Sequence, residues 1–125
     1  MKEFKAFRVY KEDNKTVGRV EILNIDDLSQ GEVLIKAAYS SVNYKDALAA
    51  KGALKLVDKF PRVTGINVSG NVISSSDKRF KEGDPVIVTG YEFGIGHDGG
   101  YSEYSRVPAD WVVHLPDKMS LFNAM

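Results

Sequence analysis

Hydrophobic and polar positions alternate over most of the chain, with the period of β-strands that have one buried face. The most apolar run is Val33–Tyr39, which is typical of a central strand. Glycine, proline and asparagine separate the runs at short intervals, as in sheets joined by tight turns. The pattern predicts about seven short strands, at residues 4–10, 17–23, 33–39, 67–74, 85–89, 101–107 and 111–115.

One segment has helical spacing instead. Residues Tyr44–Lys51 carry Ala47, Leu48 and Lys51 at positions that share a helix face, and Gly52 suits the left-handed residue that ends a helix. With so little helix and so many short strands, we expect a mainly β protein with a barrel or sandwich core.

The last residues indicate a second helix. Ser120 resembles an N-cap, and Leu121, Phe122 and Met125 follow at helix-compatible spacing. We therefore expect residues 1–119 to form one domain and residues 120–125 to be the first turn of a helix in a longer protein. The alternative is a frayed tail.

Composition narrows the class of protein. The chain has 125 residues, of which 43% are hydrophobic and 27% charged, which indicates one folded domain. Its 17 basic and 17 acidic residues balance, which argues against a nucleic-acid partner. No apolar run has membrane-spanning length or the character of a signal peptide, so we expect no membrane partner and a cytoplasmic location. The absence of cysteine excludes disulfides and thiolate zinc sites.

Candidate chemistry lies between the third predicted strand and the helix. Asn43, Tyr44, Lys45 and Asp46 place an amide, a phenol, an amine and a carboxylate on one turn, where they can face a single cleft. The alternative is that Ser41 or Asn43 caps the helix and the other side chains are solvated.

A glycine motif elsewhere does not predict a nucleotide site. Residues 94–99 fit G-x-G-x-x-G, but that motif works only at the start of a helix. The next residues, 100–107, alternate with period two and predict a strand. We expect the glycines instead to allow a tight bend or a close approach to the backbone. His97 and His114 lack the spacing of metal ligands.

Five blocks occur in an order that resembles a known family. Together they are similar to the N-terminal domain of the medium-chain dehydrogenase/reductase superfamily, and most similar to its branch of acrylyl-CoA reductases and quinone oxidoreductases. The resemblance covers nearly the whole chain. Its blocks are Ser41–Leu48, Gly65–Gly70, Phe80–Val86, His97–Tyr104 and Val107–Val113.

The resemblance implies a GroES-like, partly open β-barrel with one or two short helices. It also implies a Rossmann domain after Met125 that binds most of the cofactor, NADPH. Zinc alcohol dehydrogenases of this superfamily have cysteine where this chain has Asn43, and a His-Glu pair where it has Ile66 and Asn67. The expected enzyme is therefore zinc-independent, with no metal ligands. The similar branch has Gly-Ile-Asp where this chain has Gly65-Ile66-Asn67, a change that keeps the shape and removes the charge.

The resemblance also suggests residue roles. Asn43, Tyr44 and Asp46 are the expected catalytic group, and Tyr44 is expected to contact the nicotinamide. The substrate cleft is expected to include Asn67, His97, Gly99 and Gly100. The alternatives are that Tyr44 packs on the barrel, that Asp46 stabilises the helix N-terminus, and that Asn43 is a cap.

The implied reaction is hydride transfer from NADPH to a quinone or to an α,β-unsaturated carbonyl or acyl-CoA compound, with a small-molecule substrate as the main partner. A homodimer of the full-length protein is allowed, and this chain alone is expected to be inactive. The alternative function is a stand-alone GroES-like binding module without enzymatic activity. Such a module needs a mobile loop with an apolar tip, and the loop at residues 94–100 offers only Ile95, flanked by Phe93.

Overall fold

The computed structural model describes residues 3–125, so the first two residues of the domain predicted at 1–119 lie outside the described part. Over that range the chain forms eight strands, one α-helix and three short 3-10 segments. The elements are β1 (Glu3–Glu12), β2 (Lys15–Asn24), β3 (Val33–Tyr39), α1 (Tyr44–Lys51), β4 (Arg62–Val63), β5 (Asn67–Ser75), β6 (Pro85–Thr89), β7 (Tyr104–Val107) and β8 (Val112–His114), with 3-10 segments at Ile25–Asp27, Ala53–Lys55 and Ala109–Trp111.

The strands form two antiparallel sheets. One has the order β2-β1-β4, and the other has the order β7-β3-β5-β6-β8. The mainly β fold and the short helix predicted from the sequence are confirmed. The hairpin of β1 and β2 turns at Asp13 and Asn14, whose φ angles of 51° and 64° suit a two-residue hairpin turn.

The eighth strand is β4, which the sequence pattern did not reveal. It has only two residues, paired with β1 through Arg8↔Val63 and Val9↔Arg62. An alternation of period two cannot be recognised in two residues, so the sequence pattern predicts no strand here.

Two predicted strands are shorter in the structure. The predicted strand 101–107 begins only at Tyr104, because the residues before it cross from one sheet to the other. Phe7 N donates to Tyr101 O at 2.8 Å in the three-stranded sheet, whereas Ala37 N donates to Glu103 O at 2.9 Å in the five-stranded sheet. The predicted strand 111–115 is confined to Val112–His114 because a 3-10 turn precedes it.

The main hydrophobic core lies on one face of the five-stranded sheet. Its members are mostly β-branched residues at alternate strand positions, which suits a half-buried pleated surface. Burying each such side chain contributes about 1.5–3 kcal/mol, so this core fixes β3 and β5, the strands on which the site is built. The core comprises Val33, Ile35, Val68, Val72, Phe80, Val86, Val88, Phe93, Val107, Ala109 and Val112.

The helix α1 has the ends that its sequence predicts. Asn43 occupies the N-cap position, and Gly52 ends the helix with a φ of 72°. The helix buries Asp46 and Ala49, and Ala49 packs with Val9 and Val57 against the three-stranded sheet. This packing holds α1 against the three-stranded sheet.

The last residues form a turn with the predicted cap. Ser120 Oγ accepts from Asn123 N at 3.0 Å, and Ser120 O accepts from Ala124 N at 3.1 Å. Leu121 O accepts from the buried Ser69 Oγ at 2.7 Å, which ties this turn to β5. Its continuation as a helix stays a prediction. No helix within residues 3–125 has the length and apolar character needed to cross a membrane.

Candidate active site

A buried carboxylate organises the turn before α1. Asp46 is 3% exposed, and its Oδ2 accepts from Asn43 N at 3.0 Å and from Asn43 Nδ2 at 2.9 Å. Its Oδ1 accepts from Ile66 N at 2.9 Å. Asp46 therefore joins the first turn of the helix to the residue that precedes β5, as a buried acceptor with all its bonds inside the protein.

A second contact runs parallel to the first. Asn67 Oδ1 accepts from Ser41 Oγ at 2.8 Å and from Ser41 N at 3.3 Å. Ser41 Oγ in turn accepts from Asn43 Nδ2 at 3.3 Å. We call Ser41, Asn43, Asp46 and Asn67 the polar cluster. Both amide protons of Asn43 are used within it, so in this arrangement Asn43 offers no donor to a ligand.

Tyr44 lies beside the polar cluster and faces solvent. The residue is 81% exposed, and its phenol has no hydrogen-bond partner within residues 3–125. The alternative in which this ring packs on the barrel is not what the structure shows. An exposed aromatic face at the start of α1 is available to a flat ligand.

Tyr101 completes the surroundings of the cluster, and sequence reasoning assigned it no role. Its hydroxyl donates to Ser41 O at 2.9 Å, and its ring meets Phe7 edge-on at 6.3 Å between centroids. Burial and then the negative charge of Asp46 raise the pKa of Tyr101 to about 12. The period-two pattern placed Tyr101 in a strand, and the block His97–Tyr104 contains it without suggesting a role for it.

A mostly apolar cavity of about 330 Å³ opens beside these groups. It separates the start of α1 from β1, and among its lining residues within 3–125 only Asp46 is charged. The cavity is lined by Phe7, Val42, Asp46, Ala47, Ala50 and Tyr101.

His97 lies elsewhere. Its ring nitrogen Nε2 donates to Arg106 O at 2.8 Å, and its ring meets Trp111 edge-on with 4.9 Å between centroids. Burial lowers the pKa of His97, which favours the neutral ring. The contacts of His97 described in the structure are with the Trp111 side of the domain and do not include the polar cluster.

We call residues 94–100 the glycine loop. Gly99 and Gly100 are buried where this loop packs against Gly65 and the start of β5. A Cβ on Gly99 would lie 2.2 Å from Gly65 O, and one on Gly100 would lie 2.3 Å from Asn67 O. Gly100 N donates to Gly65 O at 2.8 Å. The close backbone approach that the glycines predict is thus made by the protein itself. No helix follows, as the sequence predicts, but the strand begins only at Tyr104 and not directly after Gly100.

The described residues also bear on metal binding. Within residues 3–125, no three or more histidine, cysteine, aspartate or glutamate side chains are grouped so that they could hold a metal ion. Asn43 and Asn67 in the polar cluster are amides, which are weaker ligands for zinc than thiolate or imidazole. Zinc independence stays a prediction.

Comparison with known proteins gives consistent matches. Residues 29–117 match the family described as "Alcohol dehydrogenase GroES-like domain". "Putative quinone oxidoreductase YhfP" of Bacillus subtilis is 47% identical over 122 residues, which are 98% of this chain and 37% of that protein. "Acrylyl-CoA reductase AcuI" of Ruegeria pomeroyi is 45% identical over 115 residues, which are 92% of this chain and 35% of that protein.

Solved structures agree with this fold. The crystal structure of yhfP from Bacillus subtilis with NAD bound matches with a TM-score of 0.96 and 46% identity. The match covers 100% of this chain and 38% of the yhfP chain. The yhdH oxidoreductase from Salmonella enterica in complex with NADP matches with a TM-score of 0.95 and 41% identity. The match covers 97% of this chain and 37% of the yhdH chain. This chain therefore spans little more than a third of the length of these relatives.

Proposed function

The chain belongs to the alcohol dehydrogenase GroES-like domain family of the medium-chain dehydrogenase/reductase superfamily, and on that premise we propose that it is the N-terminal portion of the catalytic domain of a zinc-independent, NADPH-dependent oxidoreductase. Its proposed substrates are quinones or α,β-unsaturated carbonyl and acyl-CoA compounds. The observation that carries the proposal is the polar cluster at the start of α1 with the exposed phenol of Tyr44 beside it. The NADP and NAD held by similar proteins support the cofactor class.

The surroundings of Tyr44 fit a nicotinamide. An unpartnered aromatic ring offers a face for stacking, and its hydroxyl keeps a free proton to donate. When bound, NADPH supplies a hydride to the β-carbon of an enone or to a quinone. In a site without zinc, hydrogen-bond donors must stabilise the charge that develops on the substrate oxygen, and one such donor lowers the barrier by about 2.7–4 kcal/mol in a well-studied enzyme.

Asp46 and Asn43 act through position. Asp46 accepts from three donors of the protein and keeps the helix start against Ile66. Asn43 is held by Asp46 and Ser41, which fixes the backbone that carries Tyr44. A fixed phenol is closer to the geometry of reaction than a mobile one, and such positioning is a large part of enzymatic rate acceleration.

The other proposed cleft residues contribute shape. Gly99 and Gly100 let the glycine loop pack against the backbone of Gly65 and Asn67, so the loop closes one side of the cluster. His97, in the middle of the same loop, contacts Arg106 O and the ring of Trp111. We propose that this loop borders the substrate entrance.

The remaining parts of the proposal concern the whole protein. This chain covers only 37% and 35% of two of its relatives, so we propose that a nucleotide-binding domain outside this chain holds most of the NADPH and that residues 1–125 alone are inactive. We also propose a cytoplasmic enzyme with a small-molecule substrate and no nucleic-acid or membrane partner, and a homodimer for the full-length protein.

The test is NADPH oxidation by the full-length protein with a benzoquinone, an enone and acrylyl-CoA, each with and without a zinc chelator. Turnover that resists the chelator is expected. Tyr44→Phe keeps the ring and removes the hydroxyl, so it separates stacking from donation. Turnover by the isolated 125 residues, or loss of turnover on chelation, would contradict the proposal. Unchanged turnover and NADPH affinity in Tyr44→Phe would remove the donor role.

A further inference from the structure

The strand β2 leaves one long edge of the three-stranded sheet open. β1 lies on one side of it and, within residues 3–125, no strand lies on the other. The remaining edge strands of the two described sheets are β4, β7 and β8, which have two, four and three residues. β2 has ten. It is therefore the longest edge strand in the part of the chain that the structure describes.

Two common devices that protect an edge strand are missing from β2. Natural edge strands are often interrupted by a proline or a β-bulge. β2 contains no proline, and it pairs with β1 over all ten residues without a register shift. Its residues Val17, Val20 and Ile22 are 37%, 67% and 55% exposed. A long, regular and partly apolar edge of this kind is one onto which another strand can add.

The hairpin determines which backbone groups of β2 face the open edge. In a two-residue hairpin turn the flanking residues, here Glu12 and Lys15, are a hydrogen-bonded pair, and the pairs alternate from there. In agreement, Phe7 N donates to Tyr101 O and so faces away from β2. Val20 is the partner of Phe7, so its N–H and C=O face the open edge. By the same alternation, so do those of Thr16, Gly18, Ile22 and Asn24.

The charges of β2 fit a second copy of β2 in one register. Two antiparallel copies are related by a two-fold axis, at which one residue meets its own equivalent. With the axis at Val20, Arg19 lies opposite Glu21 of the second copy, and Glu21 lies opposite Arg19. An axis at residue 19 or 21 would instead oppose two arginines or two glutamates, which is destabilising. An axis at Gly18 or Ile22 would shorten the paired segment.

We propose that β2 pairs antiparallel with β2 of a second copy of this chain, with the two-fold axis at Val20, and so joins the two three-stranded sheets into one. In this register the residues whose backbone faces the open edge, at even positions 16–24, meet only one another, as a hydrogen-bonded ladder requires. The exposed Val20 packs on its own equivalent. This inference gives a surface to the homodimer proposed above, and it rests on no part of the proposed reaction.

The register is tested by cross-linking the full-length protein through one introduced cysteine. Val20→Cys places two equivalent Cα atoms about 5.5 Å apart, which a disulfide can span. Val17→Cys is the matched control, because Val17 is exposed on the same strand but lies opposite Leu23 and about 20 Å from its own equivalent. Residues 1–125 contain no cysteine, and the parent oxidised in parallel reports any cysteine outside them.

On oxidation with copper–phenanthroline, most of Val20→Cys should become a disulfide-linked dimer, and at least about tenfold less of Val17→Cys should do so. Equal yields in the two variants, or no cross-linked dimer with Val20→Cys, would overturn the inference. This measurement decides the register even where the proline variant described next fails to fold.

The second measurement is the Kd of the dimer of the full-length protein, obtained by sedimentation. Val20→Pro removes an N–H that faces the open edge and spares the ladder to β1, a position at which an edge strand tolerates proline. The Kd should rise at least about tenfold. Arg19→Glu should also raise the Kd, because it opposes Glu21 with a like charge. Arg79→Glu is the matched control, with the same change of charge at an exposed residue outside β2, and it should leave the Kd unchanged.

The failures are distinguishable. A parent that forms a dimer with the same Kd as Val20→Pro and Arg19→Glu would retain the proposed homodimer and overturn only the role of β2. A full-length parent that is monomeric at micromolar concentrations would overturn both. The proposed reduction is measured separately, as NADPH oxidation, and would fail only there.

Discussion

Asp98 and Arg62 form a buried ion pair, in which Asp98 Oδ1 lies 3.2 Å from Arg62 Nη1 and the two side chains are only 8% and 10% exposed. The same oxygen accepts from Val63 N at 2.9 Å, and Oδ2 accepts from Ser29 N at 2.9 Å. One carboxylate thus connects the glycine loop, β4 and the segment before β3. Arg62 Nε has no partner of its own within residues 3–125.

Asp98→Asn should destabilise the protein strongly. The change leaves the buried guanidinium of Arg62 without a counter-charge, and breaking a buried pair in this way costs about 3–5 kcal/mol. Urea unfolding of variant and parent measures the loss. Asp110→Asn is the control, because it breaks an exposed pair with Arg79 at 2.8 Å and should change little. Equal losses in the two variants would show that the Asp98–Arg62 pair contributes no more to stability than an exposed pair.

Gly99→Ala should be far more damaging than Gly96→Ala. The added Cβ at residue 99 would lie 2.2 Å from Gly65 O and 2.4 Å from Gly94 Cα, both backbone atoms that cannot move independently. Overpacking of this kind costs about 1–3 kcal/mol or more. At residue 96 the nearest atom is the flexible Glu92 Oε1. Thermal unfolding of the two variants measures the difference, and equal midpoints would contradict the close packing at Gly99.

Asp46→Ala should separate the helix start from the residue before β5. Ile66 N and Asn43 N lose their acceptor, and a buried donor left unpaired costs about 1–3 kcal/mol. Amide hydrogen exchange should show faster exchange at Ile66. Asp27→Ala is the matched control, because Asp27 accepts from Asn24 N in the same cap geometry on an exposed turn. Asp27→Ala should destabilise the protein less than Asp46→Ala. An unchanged exchange rate of the Ile66 amide in Asp46→Ala would contradict the hydrogen bond from Ile66 N to Asp46.

Stability should fall in strongly alkaline solution because of Tyr101. Its pKa is about 12 in the folded protein, against an ordinary value of 10.0. A raised pKa means that the folded state favours the protonated phenol, so the contribution is complete below pH 10 and is lost as the pH rises towards 12. Unfolding measured across this range, with phenolate absorbance, follows the loss. In Tyr101→Phe the free energy of unfolding should fall less over this pH range than in the parent. In Tyr44→Phe it should fall as in the parent.

The local features of the fold could be predicted from the sequence. β3 and α1 have the bounds that their hydrophobic periods predict, and Gly52 ends the helix as its residue type requires. These features depend on neighbours a few residues apart, which a period records. β4 could not be predicted in this way, because its two residues are a strand only through pairing with β1.

The candidate site could be predicted only in part. The turn at Asn43 and Asp46 was recognisable because residues of several chemical types follow a strand. The pairing of Ser41 with Asn67, and the bond from Tyr101 to Ser41, join positions far apart in the chain. Nothing in the local pattern distinguishes these polar residues from solvated ones. The resemblance to a family identified Asn67, but the direction of its amide follows only from the partner it meets.

The order β7-β3-β5 has a consequence for synthesis on the ribosome. β3 is made before either of its neighbours. Its pairing with β7, through Val33↔Val107, must wait until the chain has emerged from the ribosome as far as Val107. Until then one edge of an apolar strand stays open, and such an edge is a template for pairing with other chains. That edge therefore stays exposed to misassembly throughout the interval between the synthesis of β5 and that of β7.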